Sequence, residues 1–293
     1  MAAPLSREEV QRLVGELSPG MGEQPLRPVD EGGEHATWWV GTEYVLRMAP
    51  DAEATVRLRR EIAVRDAVRP VLDLPVPRSA ASGEWAPGCG CTLDVRLAGV
   101  SAEHRAVSEA GEKDLARLLG GLAGFPAAEA AALGVPAERP RHLSVLKSGA
   151  GRAARTLADD GEFDLTLLRR LETGPTPLAT EDVPEALVHF DLKGEHLLTD
   201  EAGRVTGVLD WTDAVLGDPA EDIAGLALSI GATAAFRIAR LSGHSPALAS
   251  RGLRLARCDT ALRLADRLHG TDDSPLPLLR HQLARAWQPA SPA

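Results

Sequence analysis

The stretch from Leu187 to Ile223, LVHFDLKGEHLLTDEAGRVTGVLDWTDAVLGDPAEDI, constrains this chain more than any other, because it sets two aspartates, Asp191 and Asp210, on either side of a short hairpin. Leu187 and Val188 read as the end of a buried strand, and His189, Phe190 and Asp191 break its apolar pattern. Leu197 and Leu198 lead into Thr199-Asp200-Glu201-Ala202-Gly203, a turn-rich run whose glycine can take positive φ, and Val205, Gly207 and Leu209 resume the alternation. The order is strand, loop, strand, turn, strand. Pairing about that turn puts Leu197 and Leu209 at neighbouring rungs and carries Asp210 back beside His196 and the Asp191 loop. Carboxylates gathered there repel one another unless a cation lies between them, and magnesium is the natural candidate.

The string resembles the catalytic segment of protein kinases, H-R-D-L-x-x-x-N followed by D-F-G. It is closer still to the aminoglycoside and macrolide phosphotransferase family, in which HGDLxxxN or HGDLxxxH precedes IDW or IDF and then GDPAxD; here the chain has HFDLKGEH, LDW and GDPAED. The resemblance spans most of the chain, and residues 187 to 225 match it with high specificity. It implies an α+β, two-lobed protein-kinase-like fold, with a small β-rich N-terminal lobe and a larger, mainly helical C-terminal lobe. It also implies that Asp191 accepts or orients the proton of a substrate hydroxyl, while Asp210 holds magnesium across the nucleotide phosphates.

His196 joins Asp210 as the second candidate metal ligand. Most of the family has asparagine there, and imidazole is an unusual ligand for a hard cation, but macrolide kinases and 2″-aminoglycoside kinases share the histidine. Lys193, two residues past Asp191, resembles the lysine of protein Ser/Thr kinase loops and would neutralise the transferring phosphoryl group; a solvated loop charge is the plainer reading. Phe190 stands where the family usually has glycine or asparagine, and nothing in the sequence explains it. Asp222 resembles the aspartate that braces the catalytic loop, and Asp218, directly before Pro219, reads as a helix N-cap.

Lysine usage adds an independent constraint, since the chain has only Lys113, Lys147 and Lys193. Kinases place a phosphate-gripping lysine on their third strand, and none precedes residue 113 here, so the resemblance implies that arginine does that work; the alternative is a plain exposed strand arginine. Thr42 to Met48 reads as a strand carrying Arg47, whose guanidinium stays charged and can contact two phosphate oxygens. A helix is predicted from about Ala52 to Val68, with Leu58, Ile62 and Arg65 at helical spacing. Glu61 on that helix is the expected partner of Arg47, with Glu53 as the alternative. Upstream, Gly32 and Gly33 would let backbone N–H groups approach phosphate closely, although a plain hairpin turn explains them equally well.

These elements divide the chain into a nucleotide-binding lobe over residues 1 to 94, a hinge over 95 to 99 and a catalytic and substrate-binding lobe over 100 to 293. A closing strand is expected near Cys91 to Leu97, and the hinge beginning near Asp94 would carry the purine. A helix is predicted from Glu103 to Leu122 with Leu115, Leu118, Leu119 and Leu122 on one face. Later helices, at 234 to 240, 247 to 269 and 276 to 287, would wall the acceptor site, with Asp213, Asp259 and Asp266 as candidate contacts to a cationic substrate.

Composition sets the outer bounds. At 293 residues the chain is long enough for a sizeable core, and no apolar run reaches the length of a membrane span. The first residues, MAAPLSREEV, lack the features of a secretory signal, which favours the cytoplasm. Cys89, Cys91 and Cys258 suit neither a disulfide framework nor a zinc site. A net charge of −10 argues against nucleic acid. The implied partners are ATP or GTP, magnesium and a small, cationic, hydroxylated molecule, with no membrane and with a monomeric or homodimeric chain.

Three readings follow. The first is a phosphotransferase acting on an antibiotic-like hydroxyl, and His196 and the short chain favour it. The second is a metabolic kinase for a sugar, amino alcohol or amino acid; one tyrosine and four phenylalanines make a choline-type aromatic box unattractive. The third is a nucleotide-binding pseudokinase, which has no chemical need for both Asp191 and Asp210.

Overall fold

The computed structural model describes residues 5–29 and 36–290. They form two compact units: residues 1–70 with 75–98, and residues 71–74 with 99–293. Gly32 and Gly33 lie outside the described residues.

Unit 1 opens with α1 (Arg7–Leu17), started by a reciprocal cap in which Ser6 and Glu9 satisfy each other's backbone N–H. Its strands are β1 (Leu26–Pro28), β2 (Ala36–Val40), β3 (Tyr44–Met48), β4 (Ser79–Ala86) and β5 (Cys89–Val95), in the order β1-β2-β3-β5-β4, all antiparallel. Alternation sorts their side chains. Leu46 and Met48 on β3, Cys91 and Leu93 on β5 and Val40 on β2 share a buried core with Val10, Leu13 and Val14 of α1. Arg47 therefore falls on the other face of β3.

That other face receives α2 (Ala52–Val68), which Asp51 caps by accepting from the Ala54 N–H at 2.9 Å. The helix occupies the span predicted from the sequence. Strand β5 begins two residues before its predicted start and ends at Val95, because Gly88, at φ 74, turns the chain tightly from β4.

Unit 2 contains β6 (Val100–Ser101), α3 (Glu109–Gly124), α4 (Ala127–Ala132), α5 (Leu143–Asp159), β7 (Ala186–Val188), β8 (Leu197–Thr199), β9 (Val205–Val208) and β10 (Val215–Gly217). The helices α6 (Ala220–Ile230), α7 (Ala232–Leu241), α8 (Pro246–His269) and α9 (Leu276–Ala286) complete it. Together the units give the α+β fold expected, an antiparallel sheet in one and mostly helices in the other.

One expectation needs correcting. Helix α3 begins at Glu109 and not at Glu103, because tertiary contacts claim the intervening backbone. The Ala102 N–H donates to the Leu197 carbonyl, and Ser108 both caps α3 and donates its N–H to the Gly203 carbonyl. Gly203 itself sits at φ 71, which closes the β8–β9 turn. Asp114 on α3 then fastens the hairpin, accepting two bonds from Arg204 and one from the Val205 N–H.

Two small sheets frame the chemistry, β10-β7 and β6-β8-β9. Leu197 faces Val208, and the Leu209 N–H reaches the His196 carbonyl at 2.8 Å, one step beyond the last paired rung. Beneath the loop after β7 runs α6. A Cβ at Gly225 would stand 2.5 Å from the Leu192 carbonyl oxygen, so only glycine allows the helix this close.

Candidate active site

The loop that follows β7 is held from below by one carboxylate. Asp222, near the start of α6, accepts the His189 N–H through Oδ2 at 2.9 Å and the Phe190 N–H through Oδ1 at 2.8 Å. Complete burial pushes its pKa up to about 7, against the pull of those two donors. The His189 ring is fully buried, bonds the Leu209 carbonyl through Nε2 at 2.9 Å and meets the Trp211 ring edge-on with centroids 4.8 Å apart. Burial lowers its pKa to about 4, so the ring is neutral and its Nε2 carries the proton that the carbonyl accepts.

Phe190 has φ 71, so the departure noted in the sequence carries a backbone cost. The position requires left-handed backbone, which glycine and asparagine adopt readily and phenylalanine does not.

Beyond it the chemistry-bearing groups converge. Lys193 Nζ pairs with Asp191 Oδ1, and its backbone N–H donates to the Asp191 carbonyl. His196 Nδ1 lies 2.8 Å from that same carbonyl and 3.3 Å from Asp191 Oδ2. A carbonyl oxygen only accepts, so Nδ1 bears a hydrogen and Nε2 is the nitrogen that could offer a lone pair to a cation. Burial works to raise the Asp191 carboxyl, but Lys193 and His196 outweigh it and hold the group below the usual carboxylate range.

Asp210, carried back by β9, places Oδ2 3.8 Å from His196 Nε2. It too has left-handed backbone, at φ 55. Magnesium typically takes one or two protein ligands and fills its octahedron with water and phosphate oxygens. An exposed carboxylate beside an imidazole lone pair fits that sparse requirement. No group of three or more His, Cys, Asp or Glu able to hold a metal occurs among the described residues.

A second charged cluster lies in unit 1. Arg47 Nη1 is 2.7 Å from Glu61 Oε1, and Arg65 Nη1 is 3.4 Å from the same oxygen and 2.9 Å from Asp94 Oδ2. Ser79 Oγ donates to Asp94 Oδ1 at 2.6 Å, and Arg65 Nη2 donates to that hydroxyl. Glu61, Arg65 and Asp94 are buried, while 17% of the Arg47 side chain is exposed. The partner of Glu53 is instead Arg57, one turn along α2.

Of the three further candidate carboxylates, one lies between β9 and β10 and two lie on α8. Asp213 is exposed, three residues past Asp210. Asp259 of α8 shares Arg141 with Glu221 of α6, at 2.8 Å and 2.6 Å. Asp266 accepts the Asp272 N–H at 3.0 Å, which ties off the end of α8. Asp218, besides accepting the Ala220 N–H, is paired with the fully buried Arg251 at 2.6 Å. Sequence reasoning missed Arg65, Arg141 and Arg251. Only Arg65 carried a signal, its position one helical turn after Glu61.

The sequence model of the family described as "Phosphotransferase enzyme family" matches residues 25–257. Viomycin phosphotransferase of Streptomyces vinaceus is 32% identical over 141 residues, 47% of this chain and 47% of that protein, so the match spans about half the relative's length. Hygromycin-B 4-O-kinase of Escherichia coli is 43% identical over 51 residues, 17% of this chain and 15% of its own. Among solved structures, the GDP complex of wild-type aminoglycoside 2'-phosphotransferase-IIIa aligns with a TM-score of 0.70 at 18% identity, over 97% of this chain and 99% of that one. Macrolide 2'-phosphotransferase from Brachybacterium faecium aligns with a TM-score of 0.60 at 20% identity, over 98% and 100%. At these identities the likeness is one of fold.

Proposed function

The chain belongs to the phosphotransferase enzyme family, and from that premise we propose that it moves the γ-phosphoryl group of ATP or GTP to a hydroxyl of an antibiotic-like small molecule, an aminoglycoside, a macrolide or a related compound. Such a reaction confers antibiotic resistance. The observation that carries the reading is the convergence of Asp191, Lys193, His196 and Asp210 on one loop and one hairpin end.

In the proposed step the acceptor oxygen bonds to the γ-phosphorus while the bond from phosphorus to the β,γ-bridging oxygen breaks. The hydroxyl proton passes to the Asp191 carboxylate, and the nucleoside diphosphate leaves with the electron pair. The lowered pKa of Asp191 keeps it ionised and able to accept at neutral pH. Lys193 would exchange part of its pairing with Asp191 for the phosphoryl oxygens. Asp210 and His196 would hold magnesium, which when bound offsets negative charge on the phosphates.

Arg47 would contact the phosphates with Glu61 behind it, and Gly32 and Gly33 would add backbone N–H groups. The carboxylate of Asp94 is taken up by Arg65 and Ser79, which makes it a support for this cluster; the purine would meet the adjoining residues 95–99, which would act as the hinge. Asp213, exposed and three residues past Asp210, would be an acidic contact for a cationic acceptor, with Asp259 and Asp266 as the further candidates. No helix among the described residues is long and apolar enough to cross a membrane. A cytoplasmic place, where nucleoside triphosphate is available, suits the reaction.

The test is transfer of labelled γ-phosphate from ATP and from GTP to a panel of aminoglycosides, macrolides and cyclic-peptide antibiotics, alongside choline, sugars and amino acids. Label in an antibiotic supports the reading. Label confined to the metabolites makes the chain a metabolic kinase, and nucleotide binding with no transfer makes it a pseudokinase.

A further inference from the structure

Phe190 combines three features that the proposed reaction does not itself require. Its backbone lies at φ 71, a conformation that costs a side chain with a Cβ and is held in place by Asp222. Asp222 acts through the backbone N–H, so this brace does not depend on the side chain at position 190. The ring is also 39% exposed. Among the described residues it is the only phenylalanine, tyrosine or tryptophan in the exposed class, since Phe125, Phe163 and Phe236 are buried and Tyr44, Trp38, Trp39 and Trp85 are at least partly covered.

A strained backbone is usually tolerated when the side chain fills a core or when the side chain is used. The exposure of Phe190 removes the first explanation. Its place directly before Asp191, whose carboxylate is 24% exposed, supplies the second. The exposed carboxylate of Asp210, carried to the same loop through His196, adds negative charge there.

We propose that Phe190 is a specificity-determining residue: its ring forms a platform for the acceptor, which is therefore a cationic, hydroxyl-bearing molecule with a flat or apolar ring face beside the hydroxyl that reacts. The inference rests on the phosphotransferase reading and narrows it. A fully hydroxylated sugar lacking such a face gains little from an aromatic surface, whereas a ring face gains both area and preferred stacking geometry.

Two measurements decide it. In the first, Phe190→Asn relieves the backbone and removes the ring, while Phe190→Tyr keeps both ring and strain. For an acceptor with a ring face, the asparagine variant should raise KM about tenfold, by a larger factor than it lowers kcat, and melt about 2 °C higher. The tyrosine variant should retain the parent KM. An unchanged KM together with the higher melting temperature would show a tolerated strain with no role.

The second uses protein labelled with 4-fluorophenylalanine. Its four phenylalanines give four fluorine resonances, and the one lost in Phe190→Leu is assigned to this ring. Movement of that resonance as a ring-faced antibiotic is added supports the platform, with or without turnover. If the compound is phosphorylated while the resonance stays fixed, the platform fails and the phosphotransferase reading stands. If the resonance moves and no phosphate is transferred, the platform stands and the reaction assigned to it fails. If no compound in the panel moves it or accepts phosphate, both fall.

Discussion

The charged cluster of unit 1 and the charged loop of unit 2 use similar side chains and leave them in opposite states. Arg47, Glu61, Arg65 and Asp94 balance two cations against two anions, and at most 17% of any of these side chains is exposed. Asp191, Lys193, His196 and Asp210 set two carboxylates against one ammonium and an imidazole, with 18% to 46% of each side chain open. A closed, balanced network holds its members in place. An open, acidic one has charge left over for a cation and for a proton. On the proposed function, rigidity is therefore concentrated around the phosphate grip, and unspent charge around the transfer step.

Substitutions should separate the two regions by what they damage. The largest effect expected is on the open side, where Asp191→Ala should cut kcat by about 10² to 10⁴ and leave nucleotide binding and thermal stability close to the parent's. Steady-state kinetics with calorimetry reads this directly, and turnover within a few-fold of the parent would remove Asp191 from the role of base. The closed side should answer differently. Glu61→Ala removes the buried carboxylate that Arg47 and Arg65 share, leaving Asp94 to face both guanidinium groups, and should lower the unfolding free energy by about 3 to 5 kcal/mol, as read by urea denaturation. A loss near zero would mean that the network does not hold the fold.

The contrast extends to pH. His189 has a folded pKa of about 4 against an ordinary 6.5, so the unfolded chain binds the extra proton between those values. Its contribution is complete above 6.5 and is lost as pH falls to about 4, amounting to about 3 kcal/mol. Asp222, pushed up to about 7, tilts stability the other way over much of the same range. The histidine term is therefore taken as the difference in unfolding free energy between the parent and His189→Gln; a difference independent of pH would show that His189 does not titrate on unfolding.

The smallest effect expected sharpens the assignment of Arg47. Arg47→Ala should weaken triphosphate binding by about 1.5 to 3 kcal/mol while sparing the nucleoside, and Arg47→Lys should recover only part of it. Equal losses for both ligands, by calorimetry, would make Arg47 a structural residue like Arg65.

The legibility of these regions follows from the range of the forces that make them. Helix α2 could be read from the spacing of Leu58, Ile62 and Arg65 because that signal is local, as is the Asp51 cap that starts it. The start of α3 could not, since the backbone of 102 to 108 is claimed by Leu197 and Gly203, almost a hundred residues away. Asp191 and Asp210 stood out as residue types in a pattern, and a hairpin of adjacent strands brought the second back to His196. Arg65 hid as one more helix arginine because Asp94, its partner, lies 29 positions on and only the packing of α2 against β5 joins them. Phe190 was visible as an anomaly while its backbone cost was not, because a backbone angle leaves no mark on the sequence except the residue that tolerates it.

The absence of lysine from unit 1 also changes how this protein responds to reagents. Unit 1 has no side-chain amine, and the three lysines of the chain all lie in unit 2, with Lys147 and Lys193 engaged to Glu172 and Asp191. Acylating nucleotide probes and amine cross-linkers therefore have no lysine of unit 1 to mark, and Lys193 is the one such target in the loop between β7 and β8. An endoprotease that cleaves after lysine leaves everything up to Lys113 as a single piece, so unit 1 is recovered whole, carrying its arginine cluster, in one peptide.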